Sequence, residues 1–120
     1  MPTDESNVLP LNPRVLMIVL AFAEGPAHGY EIKKRAEERS GGSVQLDAGS
    51  LYRSIAQLLD HNVIEEVSDS EDARSTDSRR RYYALTARGR ELAAAEAKRL
   101  AGLVEYAALN GLIDAPKVAQ

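Results

Sequence analysis

The chain has 120 residues, 44% of them apolar and 28% charged, with a formal net charge of −3 and a pI near 5.4. That length suits one domain around a modest core, and the absence of cysteine excludes disulfides and thiolate metal sites. An acidic total disfavours a uniformly basic nucleic-acid binder, but screening within about 8 Å makes the local distribution of charge the deciding quantity.

Residues 1–10 are polar, contain two prolines and read as a loose arm. They lack the basic flank and long apolar run of a signal peptide. The apolar run from Val15 to Ala23 is far too short to span a bilayer, so a soluble cytoplasmic protein with no membrane contact is expected. Asn12-Pro13 reads as an N-cap followed by proline at the first helical position. The helix it opens, about 12–24, carries Val15, Ile18, Val19 and Phe22 at helical spacing. Leu16 and Leu20 broaden that stripe, predicting a largely buried helix that Gly25-Pro26 stops. A second helix is expected from Gly29 to about Ser40, with Gly29, Ile32 and Ala36 on one face and Gly41-Gly42 at its end.

Asp47 reads as the N-cap of a third helix, about 48–61, whose core stripe is Leu51, Ile55, Leu58 and Leu59. Val63 to Ser68 is β-branched enough for a strand, Asp69 to Ser78 is a polar loop, and Arg80 to Leu85 is the return strand. Thr86 caps a long last helix over about 87–109. The expected fold is mainly α with a small β component (α+β). It is a winged helix-turn-helix of three N-terminal helices, a two-stranded β-wing and a long C-terminal dimerisation helix. The expected divisions are an arm at 1–10, a DNA-binding domain at 11–86, a dimerisation helix at 87–112 and a tail at 113–120.

This element order points to DNA, because the second helix of a helix-turn-helix pair enters the major groove while the first braces the backbone. The side of the third helix opposite its leucines holds Gly49, Ser50, Arg53, Ala56, Gln57 and Asp60. Three of these are small enough for close approach, and Arg53 and Gln57 are types that pair bidentately with guanine and adenine edges. The same face also reads as the solvated side of an ordinary amphipathic helix. Between residues 71 and 90, Arg74, Arg79, Arg80, Arg81, Arg88 and Arg90 face only Glu71, Asp72 and Asp77. Arginine's planar fork suits phosphate, and phosphate contacts set register on the duplex. A solvated loop with no partner is the competing reading of that run.

Four strings resemble the PadR family of bacterial transcription regulators. His28-Gly29-Tyr30-Glu31-Ile32 is similar to that family's opening of the second helix, and Ala48-Gly49-Ser50-Leu51-Tyr52 to its opening of the recognition helix. Ile64-Glu65-Glu66 and Arg81-Tyr82-Tyr83-Ala84-Leu85-Thr86-Ala87-Arg88-Gly89 resemble the two strands of its wing. The resemblance covers about residues 11–108. Ala48 and Arg53 stand where the family often has proline, and His61-Asn62 replaces an acid-glycine turn. Asn62 also tolerates the left-handed conformation such a turn needs. The resemblance implies a homodimeric regulator, usually a repressor, that leaves its operator in double-stranded DNA when an effector binds. Two recognition helices about one DNA turn apart match a pseudo-palindromic operator. The residues expected on DNA are Tyr30, Lys33, Lys34, Gly49, Ser50, Tyr52, Arg53, Gln57, Arg74, Arg79, Arg80 and Arg81.

In the last helix Ala93, Ala97, Leu100, Val104 and Ala107 repeat at spacings of 4 and 3, with Gly111 in step beyond them. That is a heptad seam suited to a second copy of the chain, and packing within the chain is its alternative. Leu92, Leu103 and Leu109 lie off the seam and are expected to face the chain's own core. No enzyme is expected. There is no glycine-rich phosphate loop and no His/carboxylate cluster with metal spacing. His28 reads as a helix-start residue and His61 as a helix-end residue, and no cofactor or metal is implied. An effector, if one binds, is expected to be a small apolar compound in a groove lined by Ala, Leu and Val with Tyr106 or Phe22. The rival reading is a winged-helix module for protein contacts without direct DNA binding.

Overall fold

In a computed structural model, residues 11–67 and 81–114 can be described. Helix α1 spans Pro13–Ala23, opened by the Asn12 side chain, whose Oδ1 accepts from Val15 N at 2.9 Å. It buries Ile18, Val19, Ala21 and Phe22. Leu20 departs from the expected stripe and is 38% exposed, because it lies on the side of α1 away from Ile18 and Phe22. Gly25, at φ 143°, ends the turn after α1. A two-residue strand β1, Ala27–His28, follows, and it is too short to leave a period in the sequence.

Helix α2, Gly29–Arg39, begins where His28 Nδ1 accepts from Glu31 N at 3.2 Å. It buries Gly29, Ile32 and Ala36, and Gly41 and Gly42 leave it at positive φ. Arg35 anchors α2 to the end of α1 by donating from Nη1 to Ala21 O at 3.0 Å and Gly25 O at 2.9 Å. A guanidinium at a helix C-terminus meets both its orphan carbonyls and the negative end of its dipole. Helix α3, Ala48–Asp60, buries Leu51, Ile55 and Leu58. Asn62, at φ 61°, turns the chain after it.

Strands β2, Ile64–Val67, and β3, Tyr82–Leu85, pair antiparallel from Ile64↔Leu85 to Val67↔Tyr82. β1 adds to the other edge of β3, through Ala27↔Tyr83 and His28↔Tyr82. Among the described residues the sheet therefore has three strands in the order β1-β3-β2, the expected two-stranded wing with β1 added to it. Tyr83 sits at its centre, buried edge-on against Phe22 at 6.4 Å.

Helix α4, Ala87–Leu109, starts at Thr86, whose Oγ1 accepts from Gly89 N at 2.9 Å. Its buried residues are Gly89, Leu92, Ala93 and Glu96, all in the first ten positions. The second half is exposed, with Leu103 at 53% and Leu109 at 82%. Both were expected to face the chain's own core, but α4, at about 1.5 Å per residue, runs past the body that would cover them. Ala93 is corrected in the opposite sense. It is buried inside the chain and offers no surface to a seam. Phe22 is 1% exposed at the centre of the core and lines no groove. Among the described residues, no helix is long and apolar enough to cross a membrane. The architecture is a mainly helical winged helix-turn-helix.

Candidate nucleic-acid interface

The interface is organised by α3, which turns a leucine face inward and a polar face outward. Leu51, Ile55 and Leu58 are buried, while Gly49, Tyr52, Arg53, Ala56 and Gln57 are exposed. Asp47 fixes where the helix starts. Its Oδ1 accepts from Ser50 N at 2.7 Å and its Oδ2 from the Ser50 hydroxyl at 3.4 Å. The backbone bond from Ser50, then its hydroxyl and the charges of Arg53 and Arg14, hold the Asp47 carboxyl below the usual carboxylate range. Arg53 folds back along the helix, with Nη2 3.4 Å from Ser50 Oγ. Helical side chains lean toward the N-terminus, so this guanidinium lies over the first turn of α3. A Cβ on Gly49 would make only ordinary contacts at 3.4–3.5 Å with Asp47 and Arg53. Glycine there is not required by the fold, and its smallness leaves the face open.

Gly29 and Tyr52 are matched to each other. A Cβ on Gly29 would stand 2.8 Å from the Tyr52 hydroxyl and 3.0 Å from its ring. Glycine as the first residue of α2 therefore lets Tyr52 lie against it without shifting its ring. This contact gives a physical reason for Gly29 and Tyr52 to occur together in two strings far apart in sequence. Tyr30 and Tyr52 are 59% and 52% exposed.

The turn between α2 and α3 is held by Glu37, a residue the sequence reading passed over. Its carboxylate accepts from Leu46 N at 3.1 Å and from Lys33 Nζ at 3.0 Å. Those contacts, the Leu46 backbone bond first, lower its pKa. The i,i+4 spacing of Lys33 and Glu37 was the available signal. Lys33 thus braces the turn, while Lys34 is exposed and among the described residues makes no ion pair.

On the wing, Arg81 Nη1 lies 3.1 and 3.2 Å from the two carboxylate oxygens of Glu66. The pair is at least half exposed on both sides. Such pairs contribute about 0–1 kcal/mol, so a phosphate can displace the carboxylate at little cost. Arg74, Arg79 and Arg80 lie outside the described residues. Of the expected seam, Leu100 and Ala107 are half-buried, Val104 is 37% exposed and Ala97 is exposed. No group of three or more His, Cys, Asp or Glu that could hold a metal ion occurs among the described residues.

The profile of the PadR-like transcriptional regulator family matches residues 15–95, from α1 into α4. The chain belongs to the PadR-like family. It is a family of transcriptional regulators and not of enzymes. An uncharacterized 37.1 kDa protein in transposon TN4556 of Streptomyces fradiae is 34% identical over 92 residues. The match covers 77% of this chain and spans about a quarter of that relative, 24% of its length.

Solved structures share the PadR-like fold at low identity. A PadR family transcription regulator from Clostridium difficile R20291 superposes with a TM-score of 0.63 at 22% identity, covering 85% of this chain and 100% of that one. RosR from H. salinarum gives 0.64 at 22% identity, over 81% and 80% of the two chains. A transcriptional regulator from Clostridium thermocellum gives 0.63 at 20% identity, over 83% and 92%.

Proposed function

We propose that this PadR-like chain is a sequence-specific DNA-binding transcription regulator that works as a homodimer on a pseudo-palindromic operator. The observation that carries the reading is the division of α3. Its leucine face is fastened in the core, its start is fixed by Asp47, and an exposed polar face presents Arg53 and Gln57. A helix about 10–12 Å wide fits a major groove about 12 Å wide. Arg53 and Gln57 then read base edges, Tyr30, Lys34 and Tyr52 reach the backbone beside α2, and Arg81 leads the arginines of the wing toward phosphate.

Homodimerisation through α4 is supported by its exposed apolar second half, in which Leu103, Val104, Tyr106 and Leu109 are 37–82% exposed. Two α3 helices one DNA turn apart match a two-fold operator. The finer reading is a repressor released by an effector, and the exposed apolar side chains of α4 suit a small apolar compound.

The test is a fluorescence-anisotropy titration of the protein with duplex DNA from upstream of its own gene, at low and moderate salt. Sequence-preferring binding that weakens steeply with salt is expected, since neutralised phosphates release counterions. Arg53→Ala and Gln57→Ala are expected to cost about 1–3 kcal/mol each and to relax sequence preference. No affinity at low salt for that duplex or for mixed-sequence DNA would overturn the reading in favour of a protein-contact module.

A further inference from the structure

Beside the polar face of α3 lies a cation that belongs to neither the helix-turn-helix pair nor the wing. Arg14 is the second residue of α1 and is exposed. It borders a cleft of about 170 Å³ whose opposite wall is α3, at Ser50, Arg53, Ser54 and Gln57. It also borders a wider cleft of about 680 Å³ that reaches Ser43 and Gln45 in the turn between α2 and α3. Arg14 is therefore the charged group on the ridge between the recognition face and the helix-turn-helix turn. Its position just precedes residues 15–95, where the family profile matches.

Several cations of the fold have internal partners. Lys33 is paired with Glu37, Arg35 with Glu31, Arg39 with Glu24, Arg81 with Glu66 and Arg99 with Glu96. Arg14 makes no ion pair among the described residues. Among the described residues Asp47 feels the charge of Arg14, but both of its oxygens are engaged by Ser50. Arg14 and Arg53 thus flank one polar cleft, and among the described residues no carboxylate is bonded to either guanidinium. The start of α1 is itself fixed by the Asn12 cap and by Leu11 N, which donates to Glu96 at 3.1 Å. A side chain rooted there is presented at a defined place.

We propose that Arg14 is a DNA-phosphate-binding residue that clamps the backbone at the wall of the groove α3 enters. The inference rests on the DNA-binding reading above. An inserted helix nearly fills the width of the groove. A side chain rooted on the neighbouring helix consequently meets the groove's wall and not its floor, and the wall is phosphate. The clamp acts on register and orientation and carries no sequence information.

The experiment titrates the full chain, Arg14→Ala and Arg14→Lys by anisotropy across a salt series. The probes are two duplexes of about 30 base pairs, long enough for two half-sites one turn apart. One comes from upstream of the chain's own gene and the other has mixed sequence. Arg14→Ala is expected to weaken binding to both duplexes by the same factor and to lower the slope of log K against log salt by about one. Arg14→Lys, which keeps the charge, is expected to restore most of that slope. Melting curves for the three proteins are expected to lie close together, because Arg14 is exposed and among the described residues makes no hydrogen bond or ion pair, only a long-range attraction to Asp47. An unchanged slope in Arg14→Ala, or a loss confined to one duplex, would overturn the clamp while leaving the DNA-binding reading intact. A wild-type protein with no affinity for either duplex would overturn both.

Discussion

Two glycines in α4 predict opposite responses to the same substitution. A Cβ at Gly89 would lie 2.0 Å from Val63 O and 2.9 Å from Val63 C, with Leu85 Cδ2 at 3.1 Å. The obstacle is backbone, so it cannot rotate away. An ordinary C···O contact is about 3.3 Å, so α4 and the strand entry must separate by about 1.3 Å. That separation disturbs Thr86 N→Val63 O at 3.0 Å and Thr86 Oγ1→Asn62 O at 2.6 Å. Two weakened bonds cost about 2 kcal/mol, overpacking adds about 1–3 kcal/mol, and alanine's helix propensity returns about 1 kcal/mol. Gly89→Ala should therefore destabilise by about 2–4 kcal/mol, lowering Tm by about 8–16 °C for a domain of this size. Gly102, in the same helix, has nothing within 4 Å of its Cβ position. Gly102→Ala should gain about 1 kcal/mol from propensity alone. Urea and thermal unfolding of the three proteins at one concentration measure both. A Gly89→Ala protein as stable as wild type would refute the close-packing argument.

Glu96 is fully buried, accepts from Leu11 N at 3.1 Å and receives Arg99 at 2.9 and 2.8 Å. The Arg99 bonds lead the causes that lower its carboxyl pKa in the fold. A depressed folded pKa contributes stability that is complete above the unfolded value of about 4.3 and is lost as pH falls through the folded value. Glu96→Gln should thus flatten part of the acid-side loss of Tm, while a wild-type slope in the variant would assign the loss to other carboxylates. Leu100→Glu should yield a monomer with poor DNA affinity, and light scattering that still shows a dimer would move the interface off this part of α4.

The elements were legible because the signals at their ends were chemical. Asn12, His28, Asp47 and Thr86 each accept a hydrogen bond from a backbone N–H three residues on. Asn62 takes the left-handed turn its type permits. The outward face of α3 was legible for the same reason as its core, since one 3.6-residue period defines both. What escaped depends on contacts distant in sequence. β1 exists because β3 offers it an edge. Glu96 reads as one more charge on an alanine-rich helix until Leu11 N, 85 residues away, is found bonded to it. Leu103 and Leu109 failed as core residues because periodicity reports which side of a helix is apolar and not how far the body beside it extends.

The same kind of long-range contact ties α3 to α4. The chain leaving α3 passes through His61, Asn62 and Val63, and the carbonyls of all three accept from the start of α4. Arg88 Nη1 donates to His61 O, Thr86 Oγ1 donates to Asn62 O, and Thr86 N donates to Val63 O. Gly89, with no side chain of its own, packs directly against Val63 O. The end of α3 and the start of α4 therefore form one rigid corner. In a dimer built on the exposed half of α4, the separation of the two α3 helices follows directly from the angle at which the α4 helices cross. For helices projecting about 20 Å beyond a fixed seam, a rotation of about 10° displaces the ends by about 3–4 Å. That is roughly one base-pair rise, enough to take two recognition helices out of step with half-sites one turn apart.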